Sequence, residues 1–120
     1  MAYHIYISNS GSEFFSHFLM DEDSGALSPQ ADIALAGSPG AVATNPDGSI
    51  MFAALRSAKQ LVSYSVDKSS GQLTTIGGVV LEEGPPYLAT DNTCSYLLSS
   101  YYGSGYAGVH RINDDGTLSE

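Results

Sequence analysis

Three short stretches, Asp23-Ser24-Gly25-Ala26-Leu27, Ser69-Ser70-Gly71-Gln72-Leu73 and Asp114-Asp115-Gly116-Thr117-Leu118, recur along this chain with their glycines 46 and 45 residues apart. A second series keeps the step: Ser38-Pro39-Gly40-Ala41-Val42-Ala43-Thr44-Asn45 aligns with Gly84-Pro85-Pro86-Tyr87-Leu88-Ala89-Thr90-Asp91, 46 residues further on. Self-similarity at a period of roughly 20 to 50 residues is the signature of a solenoid or propeller, whose units bury their faces against one another.

Between the markers lie short apolar segments, His4 to Ser8, Phe14 to Met20, Ile50 to Leu55, Leu61 to Val66, Tyr96 to Tyr101 and Tyr106 to Ile112. They are rich in Tyr, Phe, Ile, Val and Leu and end at Gly, Asp, Asn or Ser turns, the pattern of strands. Helical spacing is nowhere sustained. Four strands with their turns fill a unit of about 46 residues, as in propeller blades. The expected fold is therefore all-β, a partial β-propeller of about two and a half four-stranded blades. Residues 1–40 form a first blade lacking its inner strand, 41–86 a second, and 87–120 a third that stops as its outer strand begins. Within the second, the inner strand is expected from Ala41 to Asn45 and the outer from about Gln72 to Val80. Blades so placed leave strand edges open, which predicts self-association.

Because strands in a blade alternate direction, its loops sort onto two faces. One face collects the acidic turns Asp21-Glu22-Asp23, Asn45-Pro46-Asp47-Gly48, Asp67-Lys68 and Asp114-Asp115. There the side chains serve turn geometry, and no metal site is expected, since the Asp21 run lacks the later ligands of an EF-hand loop. The other face collects Asn9-Ser10-Gly11, Arg56-Ser57-Ala58-Lys59, Tyr102-Gly103-Ser104-Gly105 and the links Gly37 to Gly40 and Gly84 to Pro86. A ligand site belongs at a propeller's mouth, where loops of several blades converge, so it is expected on this second face.

Charge narrows the partners. Only Arg56, Lys59, Lys68 and Arg111 are basic and the formal net charge is −9, which removes the electrostatic grip on phosphate backbones that nucleic-acid binding needs. No apolar stretch approaches the roughly 18 residues of a membrane span. Without a recognisable leader after Met1, a cytoplasmic protein is expected. Cys94 is the sole cysteine, so no intrachain disulfide is available, and a small core residue is its simplest reading. The histidines, His4, His17 and His110, have a spacing that fits neither zinc nor a Ser/His/Asp arrangement, and are read as structural. Gly103-Ser104-Gly105-Tyr106-Ala107-Gly108 fits a dinucleotide fingerprint formally, but the next residues, Val109-His110-Arg111-Ile112, alternate like a strand rather than opening a helix.

Arg56 stands out, since a guanidinium at the end of a buried strand can hold a carboxylate or phosphate bidentately. Of Tyr101 and Tyr102, adjacent at a strand end, one should pack between blades and the other should line the channel mouth.

Taken together, Tyr6-Ile7-Ser8, Asp23-Ser24-Gly25-Ala26-Leu27, Gly84-Pro85-Pro86-Tyr87-Leu88-Ala89-Thr90-Asp91 and Leu97-Leu98-Ser99-Ser100-Tyr101-Tyr102-Gly103-Ser104-Gly105 with Val109 resemble the N-terminal third of the seven-bladed lactonase family. That family includes the propeller-type 6-phosphogluconolactonase of the pentose phosphate pathway and the carboxymuconate lactonising enzyme. The resemblance implies cofactor-independent hydrolysis of a sugar lactone or related anionic substrate, with water attacking the ring carbonyl and positioned donors stabilising the oxyanion. Arg56 and Tyr101-Tyr102-Gly103 match family loop residues, and Asn9 and Tyr87 complete the expected pocket lining. The family usually carries a polar residue and then His after the Gly-Pro pair, where this chain has Pro86 and Tyr87; a pocket donor is lost there unless Tyr87 replaces it. The resemblance places the catalytic groups beyond residue 120. Two other readings stay open: a non-catalytic propeller presenting a face to a protein or glycan, and a muconate cycloisomerase.

Overall fold

The computed structural model describes residues 2–119; Met1 and Glu120, the outermost residues of the expected partial blades, lie outside them. Among the described residues eleven strands form three antiparallel sheets. The first holds β1 (Ala2–Ser8), β2 (Phe14–Asp21), β3 (Leu27–Pro29) and β4 (Ile33–Ala34). The second runs in order through β5 (Pro39–Thr44), β6 (Ile50–Leu55), β7 (Gln60–Val66) and β8 (Leu73–Val80). The third holds β9 (Tyr87–Thr90), β10 (Tyr96–Tyr101) and β11 (Tyr106–Arg111). Past it, an isolated bridge joins Ile112 to Leu118. Inner strands β5 and β9 lie against each other, and β5 also meets β1, the packing of adjoining propeller blades.

The outer strand of the first sheet was not among the expected segments. It is split: β3 pairs with β2 at Phe18 to Met20 and β4 at Phe14 to Phe15. Pro29 at the break has no N–H to carry the ladder onward. Gln30 N–H and Leu35 N–H still donate to His17 and Glu13 carbonyls, at 2.8 and 2.9 Å.

The repeat is built on backbone handedness. Gly25, Gly71 and Gly116, the markers of the first series, have φ of +72°, +76° and +88°, a left-handed conformation that costs a side-chain-bearing residue about 1–2 kcal/mol. Beside them the turn aspartates accept backbone N–H groups: Asp21 from Ser24 at 2.8 Å, Asp67 from Ser69 at 2.9 Å, Asp115 from Thr117 at 3.0 Å. The Ser69 and Thr117 hydroxyls, which also donate to Asp67 and Asp115, and the backbone bond from Ser24 to Asp21 favour the ionised form and hold the three carboxyls below their ordinary pKa. Cys94 (φ +55°) occupies the turn position one repeat after Gly48 (φ +73°). It is half-buried, and its side chain packs from a turn against the buried cluster of Phe52, Leu61 and Leu97 rather than sitting inside it.

Two cores lie between the sheets. Met51, Ala53 and Leu55 project from one side of β6 onto Phe15, Ile33, Val62 and Tyr64. From its other side Phe52 and Ala54 meet Leu61, Val79, Leu88 and Leu97. β6 is thus buried on both faces, whereas β10 alternates exposed and buried residues.

Candidate functional site

Loops expected to converge on the second face do so around Arg56. Its backbone N–H donates to the Ser38 carbonyl (2.7 Å) and its carbonyl accepts from Lys59 N–H (3.2 Å). Ser38 and Ser57 clasp reciprocally: Ser38 N–H donates to Ser57 Oγ (2.8 Å) and Ser57 N–H to Ser38 Oγ (3.2 Å). The stem of Arg56 lies between two glycines of the second repeat series. A Cβ on Gly40 would stand 2.7 Å from Arg56 Cδ, and one on Gly84 2.9 Å from its Cα and 3.2 Å from its Cβ. Any larger residue there would displace the arginine. The sleeve restricts the stem and leaves the residue exposed, so less rotamer freedom is lost when the guanidinium takes a ligand.

Two concavities meet at this arginine. The larger, about 440 Å³, is lined by Ser10, Ser38, Arg56, Ser57, Glu83 and Gly84. The smaller, about 90 Å³, lies between Arg56, Glu83, Pro86, Tyr101, Tyr102 and Gly103. The Glu83 carboxylate accepts a hydrogen bond from the Ser104 hydroxyl in the β10–β11 turn. Sequence reasoning missed Glu83, which lies in an irregular link between blades where no periodicity marks it.

The tyrosine pair divides. Tyr101 is 4% exposed, its ring stacked on Tyr106 at 4.7 Å and its hydroxyl accepting from Ser99 Oγ at 3.1 Å. Tyr102 is 81% exposed at the cavity rim. Asn9 and Tyr87 line neither concavity. Asn9 Nδ2 is spent on its own hairpin, donating to Ile7 and Phe14 carbonyls and Ser16 Oγ at 3.0–3.3 Å; its neighbour Ser10 reaches the cavity instead. Tyr87, opposite Ser100 in the β9–β10 ladder, is exposed.

The histidines do not all stand apart. In the β1–β2 register Tyr6 faces His17 and His4 faces Leu19, which puts both histidines on one side of the hairpin. His4 Nδ1 lies 2.9 Å from His17 Nε2, and His4 Nε2 lies 3.0 Å from the Lys68 carbonyl. A carbonyl only accepts, so His4 carries its proton on Nε2 and accepts on Nδ1 from His17 Nε2–H. That leaves His17 Nδ1 bare, buried and without a partner among the described residues. The His17 ring stacks on Tyr6 at 5.1 Å, and Tyr6 Oη donates to the Gly71 carbonyl at 2.6 Å. Burial and the neighbouring His4 hold the His17 pKa below its ordinary value. His110 lies elsewhere, its Nδ1 3.0 Å from the Ser119 carbonyl. Among the described residues no group of three or more His, Cys, Asp or Glu is placed to hold a metal ion, and no helix is long and apolar enough to cross a membrane.

Comparison with known proteins agrees with this architecture. The chain is 30% identical to 6-phosphogluconolactonase of Bacillus subtilis (strain 168) over 114 residues, covering 92% of this chain and 33% of the relative. It is 28% identical to 6-phosphogluconolactonase of Serratia proteamaculans (strain 568), covering 95% of this chain and 34% of the relative. The chain thus spans about a third of the length of the curated relatives it matches. Among solved structures, the periplasmic gluconolactonase of Pseudomonas aeruginosa superposes with a TM-score of 0.87 at 22% identity, over 99% of this chain and 37% of that one. The family model described as "Lactonase, 7-bladed beta-propeller" matches residues 4–120, and the chain belongs to that family.

Proposed function

We propose that the protein hydrolyses a sugar lactone, with the Arg56 cavity as part of its substrate site. The observation that carries this reading is the arginine sleeved between Gly40 and Gly84 over a concavity that also holds Glu83 and Tyr102. A guanidinium so held offers two parallel donors to the carbonyl oxygen of a lactone. When water adds to that carbon the oxygen gains negative charge, so donors aimed at it bind the transition state more tightly than the ground state. Tyr102, exposed at the rim, offers its ring to the sugar's C–H face and its hydroxyl to ring substituents. The water is activated without metal or organic cofactor by groups beyond residue 120, so residues 1–40, 41–86 and 87–120 supply binding rather than proton transfer. In this reading the protein works in the cytoplasm, where Cys94 stays a thiol.

The test is acid release from glucono-δ-lactone by the full-length protein as its gene encodes it, followed at constant pH with and without a chelator. Turnover above the spontaneous rate, unchanged by the chelator, is expected. No acceleration of any sugar lactone contradicts the proposal, and chelator-sensitive turnover contradicts its cofactor independence.

A further inference from the structure

We propose that Glu83 selects against anionic lactones, so that the substrate is an uncharged, polyhydroxylated lactone rather than a phosphorylated one; this rests on reading the site as one for sugar lactones. Both concavities that Arg56 lines are also lined by Glu83, and among the described residues no other charged residue lines either. The local charges therefore cancel. Among the described residues no ion pair joins the two: the carboxylate is held by the Ser104 hydroxyl, and half-burial keeps it at the site. An incoming phosphate would pair with the guanidinium and meet a carboxylate on the same wall, whose repulsion opposes it.

A neutral sugar lactone meets the opposite situation. An ionised carboxylate only accepts and a guanidinium only donates. A ring bearing hydroxyls and a carbonyl satisfies both at once, its hydroxyls donating to Glu83 and its carbonyl accepting from Arg56. Such charge-assisted bonds are the stronger kind. This selectivity differs from what the names of the Bacillus and Serratia relatives state for those proteins.

The experiment compares kcat/KM for glucono-δ-lactone and its 6-phosphate in the full-length protein and in Glu83→Gln, an isosteric change that removes only the charge. Wild type should prefer the unphosphorylated lactone by about tenfold or more, and Glu83→Gln should raise the phosphorylated-to-unphosphorylated ratio by about tenfold. Inorganic phosphate, tested as a competitive inhibitor of wild type alone, should have a Ki at least about tenfold above the KM for the neutral lactone; this readout holds even if the variant fails to fold. A wild-type preference for the phosphorylated lactone, tight phosphate inhibition, or a ratio unmoved in folded Glu83→Gln overturns the inference and leaves lactone hydrolysis standing. Absence of turnover with either lactone overturns both.

Discussion

Two polar clusters sit on opposite faces of the molecule, and they are built to opposite ends. On the acidic-turn face, His4 and Tyr6 of the first sheet reach the Lys68 and Gly71 carbonyls of the second, and His17 is bonded to His4. All but one of the ring nitrogens and hydroxyls in that cluster are spent on a neighbour. On the other face, Arg56 spends its backbone on Ser38 and Lys59, and its head, beside Glu83 and Tyr102, opens on a cavity. The first cluster is closed and ties blades together. The second keeps a guanidinium and a carboxylate side by side at a cavity, open to a ligand. Glycine serves both ends: at Gly71 it admits the histidine rings, and at Gly40 and Gly84 it admits the arginine stem.

Changes at the closed cluster should cost stability. Gly71→Ala combines a left-handed φ of +76° with a methyl set 2.5 Å from His4 Nδ1 and 2.6 Å from His17 Nε2. A loss of about 3 kcal/mol in denaturant unfolding is expected; a loss below about 1 kcal/mol would mean that the rings are not locked. At the open cluster, Gly40→Ala should instead cost activity. Displacing the stem should lower kcat/KM for the lactone by about tenfold while the thermal midpoint moves by less than about 3 °C. If stability falls and kcat/KM holds, the sleeve is only packing.

Acid separates the clusters further. The neutral pair is the form that fits the closed cluster, since protonating either ring puts a proton on buried His17 Nδ1, which has no acceptor among the described residues. The groups around it are Tyr6 on β1, Tyr3, Asp47 and Lys68 at the neighbouring cleft, and Tyr64 in the first core. With the His17 pKa lowered in the folded state, this contribution is complete above the unfolded value of about 6.5 and is lost as pH falls below it. The thermal midpoint should drop between pH 7 and pH 5, and the drop should disappear in His17→Phe. The turn carboxylates Asp21, Asp47, Asp67, Asp91 and Asp115, also lowered, contribute stability above about pH 4 and lose it only below that, so they leave the window clear. The smallest effect belongs to the turn outside both clusters. Cys94→Gly relieves a left-handed φ of +55° and should raise stability by up to about 1 kcal/mol, net of the thiol packing it gives up.

What the sequence made legible was whatever repeats. The Gly25, Gly71 and Gly116 turns and the strands Ile50–Leu55 and Tyr96–Tyr101 were visible because left-handed turns and strand alternation are local. The split outer strand was not, because Leu27–Pro29 and Ile33–Ala34 are too short to carry a pattern. Arg56 stood out by its type and position, while its glycine sleeve depends on two links 44 residues apart closing on one stem. The His4–His17 contact was in reach of hairpin register, since both lie on one side of β1–β2; spacing along the chain alone conceals it. Asn9 and Ser10 show the limit: which of two adjacent turn residues faces the cavity depends on hydrogen bonds that only the folded hairpin sets.

The most direct test of the account is lactone hydrolysis by the full-length protein with Arg56→Ala beside wild type, each checked for an unchanged thermal midpoint. The account predicts turnover of glucono-δ-lactone by wild type and a loss of about hundredfold in kcat/KM in the variant, as expected when a donor to a developing oxyanion is removed. Equal kcat/KM values in two folded proteins would contradict it, and would move the lactone site away from the cavity between Arg56, Glu83 and Tyr102.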